Sequence, residues 1–160
     1  MKWSPSNYGF EDRLRKVLKS WEGTPYKLGD QRKGLGVDCI RFCCGVADEM
    51  FGYIRTEIEL LPQDMSMNQP STAFATMRKL KTMYSPIGYI DIDDPLEPGD
   101  IIVAGPDNGG PGHLMFVGAD KNTLWHASNQ KVEWTGMSVP VGNTHFRSLR
   151  FKDKMKWLNR

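Results

Sequence analysis

Two residue types in this chain can together do covalent chemistry. The chain has three cysteines, Cys39, Cys43 and Cys44, and three histidines, His113, His126 and His145. Nucleophilic catalysis by a thiol needs a cysteine that can ionise, an imidazole within hydrogen-bond reach, and a third group that holds the imidazole in the right tautomer. Cys39 follows Gly36-Val37-Asp38 and opens a run to Gly52 in which Cys39, Phe42, Cys43, Val46 and Met50 recur at helical spacing. Arg41 and Asp48 are placed on the opposite face of that helix, Asp38 is its N-cap and Gly52 its stop. Cys39 then lies in the first turn, where unpaired N–H groups and the positive end of the helix dipole favour a thiolate. An inert core cysteine is the competing explanation, and the helix alone leaves it open.

The histidines supply the second and third parts. His113 opens one expected strand and His126 lies near the end of the next, with Asp120-Lys121-Asn122 as the turn between them. A hairpin of that form sets the start of one strand beside the end of the other and brings the two imidazoles to one edge of a sheet. Either histidine alone has a structural explanation; the pair beside a helix-mouth cysteine makes a candidate site. His145 lies beyond this hairpin and is read as structural.

These groups must be held by a small number of elements. Tyr8 to Trp21 reads as an amphipathic helix with Leu14, Val17, Leu18 and Trp21 inward and Arg13, Arg15, Lys16 and Lys19 exposed. Glu22 to Tyr26 ends it, and Lys27 to Val37 is a polar, glycine-containing loop leading to the Cys39 helix. Gln63 to Pro70 is a loose connection, and Ser71 or Thr72 caps a third helix to about Met83. From Ile87 the pattern changes to short β-like runs, at Ile101–Ala104, His113–Gly118, Thr123–Ala127, Lys131–Trp134 and Phe146–Phe151. Helices first and a strand meander second predict an α+β fold, with helices packed on a mostly antiparallel sheet. Trp125 and Trp134 are expected in the sheet core or a groove wall.

Composition bounds the rest. At 160 residues the chain is the size of one domain, and 21 basic against 19 acidic residues leave a formal net charge of +2 with no charged block. No nucleic-acid partner is indicated, and no apolar run reaches membrane-spanning length. Residues 1–10 lack the apolar core of a signal peptide, so synthesis in the cytoplasm is expected. Three cysteines, two of them adjacent, fit reduced thiols better than a disulfide framework.

Trp21-Glu22-Gly23-Thr24-Pro25-Tyr26, Gly36-Val37-Asp38-Cys39, Pro98-Gly99-Asp100-Ile101, Gly112-His113-Leu114 and Trp125-His126-Ala127-Ser128 follow one another in an order that resembles the NlpC family of cell-wall cysteine peptidases. The long segment between Met65 and Tyr84 makes the chain most similar to the phage tail-associated branch. The resemblance implies one papain-like domain over residues 1–160, with Cys39 as nucleophile, His113 as base and His126 as the third polar residue. It further implies Tyr26 and Asp38 as substrate-binding residues, Tyr26 near the oxyanion and Asp38 toward a substrate amine. The implied reaction is hydrolysis of the γ-D-glutamyl bond to a diamino acid in peptidoglycan stem peptides through a thioester, with no metal or other cofactor. Phage tail proteins would be the partners, and a virion acting at the bacterial wall the location.

The chain departs from the family at Ile40-Arg41, where Ser-Gly commonly follows Asp-Cys, which puts the standard substrate in question. Acyl or amide transfer from the same thioester is an alternative, as is a catalytically idle structural part of an assembly. A third alternative is a structural zinc site built from Cys39, Cys43, His113 and His126.

Overall fold

In the computed structural model, residues 6–51, 87–90, 96–106, 113–120, 123–136 and 144–151 are described. Two helices, α1 (Ser6–Trp21) and α2 (Cys39–Phe51), precede most of the strands. Between them lies a small ribbon, β1 (Gln31–Arg32) paired with β2 (Gly36–Val37), inside the stretch expected to be only a loop. The remaining strands are β3 (Ile87–Ile90), β4 (Ile101–Pro106), β5 (His113–Val117), β6 (Thr123–Ala127), β7 (Val132–Gly136) and β8 (Thr144–Phe151). They form one six-stranded antiparallel sheet in the order β3-β8-β4-β5-β6-β7. The α+β expectation is met. The expected helix from Ser71 to Met83, the loose connection before it and Gly52 lie outside the described residues.

Burial follows the helical periodicity of α1 closely. Leu14, Val17, Leu18 and Trp21 are buried, and Phe10, one turn earlier, extends the same stripe. The helix α2 is different. Cys39, Phe42, Cys43, Val46 and Met50 face the core as expected, but Ile40, Cys44, Ala47 and Arg41 are buried as well. It is covered by α1 on one side and by β5 and β6 on another, so no polar stripe of the expected width survives. The placement of Arg41 on a solvent face is therefore corrected: its guanidinium lies inside, paired to Asp38.

The two helices approach closely because Gly45 has no side chain. A Cβ there would stand 2.7 Å from Cζ2 of the Trp21 indole. The Trp21 ring also meets Phe42 edge to face, with centroids 6.0 Å apart. This contact fixes α2 against α1 and thereby sets the position of its N-terminus.

The Gly23–Tyr26 segment is stitched between two sheets. Gly23 N–H donates to Val132 O at 2.8 Å, and Val132 N–H donates to Thr24 O at 2.8 Å. Tyr26 N–H donates to Gln130 O at 2.9 Å, and Val37 N–H donates to Pro25 O at 3.0 Å. Gly23 has φ of 82°, a left-handed turn that suits glycine and redirects the chain from α1 onto the edge of β7. Tyr26 is thereby fixed beside the start of α2.

Candidate active site

Asp38 caps α2 as its residue type predicts: the Arg41 N–H donates to Asp38 Oδ1 at 2.8 Å. The other carboxylate oxygen is also engaged. Gly29 N–H donates to Oδ2 at 2.8 Å, and Arg41 Nη1 donates to Oδ2 at 2.6 Å. Asp38 and Arg41 are 2% and 4% exposed, so this is an ion pair shielded from water. Both oxygens of Asp38 are thus held by the protein's own donors. A substrate amine at this carboxylate would have to compete with Arg41. The three-residue spacing of Asp38 and Arg41 at the head of a helix was the sequence signal for the pair.

Cys39 follows at the first helical position, nearly enclosed by core side chains. Burial pushes its thiol up to about 12, with the Asp38 charge adding to the rise. The backbone N–H groups of Leu114, Ile40 and Cys39 itself oppose that rise, and they place the sulfur at the helix mouth beside the start of β5. The expectation that the dipole would leave Cys39 as a thiolate is therefore corrected. At this degree of burial, desolvation of the charged form outweighs the helix end, and the resting group is a neutral thiol. Cys43 is deeper, and burial drives its thiol well up too. All three cysteines are free.

The histidines meet as the hairpin argument requires. Strands β5 and β6 pair with Phe116 opposite Trp125 and Val117 opposite Leu124. Continued along the strands, that register sets His126 diagonally across from His113, a separation that long side chains bridge. His113 Nε2 and His126 Nδ1 are 2.7 Å apart, with the rings edge to face. The middle of the turn, Lys121 and Asn122, lies outside the described residues. Burial, followed by the His126 charge, lowers His113 to about 4. Burial also lowers His126, and the neighbouring Glu133 carboxylate, directly across the strand pair, opposes this.

The bond between the rings constrains the tautomers. If His113 is to take a proton from the thiol, the nitrogen left for that purpose is Nδ1, because Nε2 is held by His126. Nε2 must then carry the hydrogen and donate it to His126 Nδ1. Among the described residues no hydrogen bond joins Cys39 directly to His113. Catalytic contacts of this kind are commonly long in the absence of substrate.

Tyr26 is partly buried at the same place. Its hydroxyl is pushed up by burial first, then by Cys39 in its thiolate form and by the Asp38 carboxylate, while Arg41 acts the other way. The structure thus gathers Tyr26, Asp38 and Cys39 at the mouth of α2, with His113 and His126 at the adjoining edge of the sheet. His145 is on β8, paired through its backbone with Gly105, and β8 is separated from β6 by β4 and β5. Among the described residues no three His, Cys, Asp or Glu side chains converge as a metal ion would require. No helix among them is long and apolar enough to cross a membrane.

Ile40, which stands where the resemblance would place a serine, is buried in the core. The departure that reaches the site is Arg41, which sequence reasoning assigned to solvent.

No sequence-family model matches the chain. No curated protein matches it either. Among solved structures, the chain is similar to the NlpC/p60 domain of the peptidoglycan hydrolase SagA, with a TM-score of 0.52 and 16% identity over 86% of this chain and 96% of that one. In architecture the protein is therefore similar to an NlpC/p60 domain, an α+β fold of the papain-like kind, as its sequence motifs led one to expect.

Proposed function

We propose that this protein is a cysteine hydrolase that cleaves an amide bond in peptidoglycan stem peptides, of the γ-D-glutamyl-diamino acid type, within one domain spanning residues 1–160. The observation that carries the reading is the His113–His126 bond of 2.7 Å at the edge of the sheet. It stands beside a helix-mouth thiol whose sulfur is influenced by the N–H of Leu114, the residue after His113. The fold shared with a domain of a peptidoglycan hydrolase supports the substrate class.

In this reading the resting pair is neutral on both sides. As Cys39 Sγ attacks the carbonyl carbon, its proton passes to His113 Nδ1, and the imidazolium so formed keeps its Nε2–H on His126 Nδ1. The Cys39 N–H at the helix start and the Tyr26 hydroxyl stabilise the oxyanion. His113 returns the proton to the leaving amine. It then takes one from the water that hydrolyses the thioester. Asp38, held by Arg41, acts as cap and positioning group rather than as an open acceptor for a substrate ammonium. The scissile bond would then lie in stem peptides whose amino end is blocked, as it is when they are attached to glycan. Action at the bacterial wall from a phage tail is the setting we infer from the sequence resemblance.

The test is incubation with muropeptides of defined stem composition, with products identified by mass. Cleavage at one stem-peptide amide, lost in Cys39→Ala, is expected. Absence of cleavage, or equal cleavage by Cys39→Ala, overturns the assignment. A second reading, an idle structural domain, draws on the protonated thiol and the missing Cys39–His113 bond, and it predicts that absence.

A further inference from the structure

At the open edge of the sheet, strand β7 carries a feature that the thiol chemistry does not use. Trp134 is 56% exposed, the only tryptophan among the large exposed hydrophobic side chains of the described residues. Its cross-strand neighbour Trp125 packs against the core, so Trp134 is not needed to close it. Beside Trp134 lies a notch of about 370 Å³ lined by Glu22, Gly23, Lys131, Val132, Glu133 and Trp134. That volume is in the range of small-molecule clefts, roughly 300–1,000 Å³.

The notch has a structural origin. Gly23 and Thr24, arriving from the end of α1, occupy the outward backbone groups of Val132, and among the described residues no segment bonds to the outer edge of β7 beyond that point. A side chain at Gly23 would meet nothing within 4 Å, so the floor is open backbone. Its lining offers the Trp134 indole on the face of β7 that it shares with Val132, and adds Glu22 together with Lys131 and Glu133, which alternate to the other face of the strand. Hydroxyl groups are matched by carboxylate acceptors, an acetamido carbonyl by an ammonium, and the C–H face of a pyranose ring by a flat aromatic surface. Glu133 links the notch to the candidate active site, because it sits directly opposite His126.

We propose that the Trp134 notch is a saccharide subsite that stacks an N-acetylated pyranose of the glycan strand, while the attached stem peptide runs past Glu133 toward Cys39. The inference rests on the hydrolase reading for its biological substrate, but the binding itself does not depend on turnover. Because Val132 already has its edge bonds filled, a peptide strand adding to β7 has less backbone to pair with than a strand on a free edge.

The probe is the β-1,4-linked tetramer of N-acetylglucosamine, titrated into Cys39→Ala protein and followed by tryptophan fluorescence and calorimetry. Saturable binding is expected, weakened at least tenfold by Trp134→Ala, largely kept by Trp134→Phe, and reduced by Glu133→Gln. In the active protein, Trp134→Ala should raise KM for glycan-linked muropeptide several-fold and leave hydrolysis of the free stem peptide unchanged. Binding that is absent, unchanged in Trp134→Ala, or replaced by saturable binding of the free stem peptide at Trp134 overturns the proposal. A protein that binds the tetramer through Trp134 but cleaves nothing retains the subsite and refutes the hydrolase reading instead.

Discussion

Arg41→Met is the most informative single change. It removes the charge that sits 2.6 Å from Asp38 Oδ2 and keeps a side chain of similar length and apolar volume. Asp38 would retain the N–H bonds from Gly29 and from residue 41, but it would remain inside the protein without a counter-charge. The attraction lost is on the order of 4 kcal/mol for unit charges about 4 Å apart at an effective dielectric near 20. Removing one partner of a buried pair typically costs about 3–5 kcal/mol. In a chain of this size that corresponds to a fall in Tm of roughly 6–20 °C. The assay is urea and thermal unfolding of wild type, Arg41→Met, Asp38→Asn and the double variant. The double variant should be more stable than the sum of the single losses implies, with a coupling of at least about 1.5 kcal/mol, within the range for residues in contact. A loss below about 1 kcal/mol for Arg41→Met, or additive single losses, would mean that Arg41 is solvated and that Asp38 is open to substrate. The argument for blocked stem peptides would fall with it.

Three further outcomes follow from the same site and its support. A Cys39 thiol at about 12 should react slowly with iodoacetamide at neutral pH, with a rate that climbs about tenfold per pH unit above pH 8. Fast labelling at pH 7 with an acid limb near pH 4 would reveal a thiolate–imidazolium pair instead. His113, held at about 4 in the folded protein against an ordinary 6.5, resists protonation. Its contribution, about 3 kcal/mol, is therefore complete above pH 6.5 and lost as the pH falls toward 4. Urea midpoints at pH 7.5 and pH 4 measure this, and equal midpoints would contradict the burial of the ring. Gly45→Ala places a methyl 2.7 Å from the Trp21 ring, an overpacking that typically costs about 1–3 kcal/mol and exceeds the helix-propensity gain of up to about 1 kcal/mol. A raised Tm would show that Trp21 moves aside freely.

Local pattern determined much of this protein. The stripe of Leu14, Val17, Leu18 and Trp21 is set by the helical repeat, and Asp38 caps α2 because a carboxylate three residues before an N–H closes that bond locally. The meeting of His113 and His126 was legible too, since a hairpin fixes which residues are neighbours once its turn is known. What sequence could not decide depended on how many neighbours arrive from elsewhere. A helical repeat reports which face is most apolar, and it assigns the remainder to water. In α2 that remainder is covered by α1, β5 and β6, so Arg41 turns inward to the nearest carboxylate. The charge state of Cys39 was settled by the same enclosure. Helix position alone favours the thiolate, but the packing of α2 against the sheet removes the water that a thiolate needs, and desolvation outweighs the dipole. Trp134 shows the converse: its alternating strand position suits a core or groove wall, and its place on the edge strand β7 leaves it exposed.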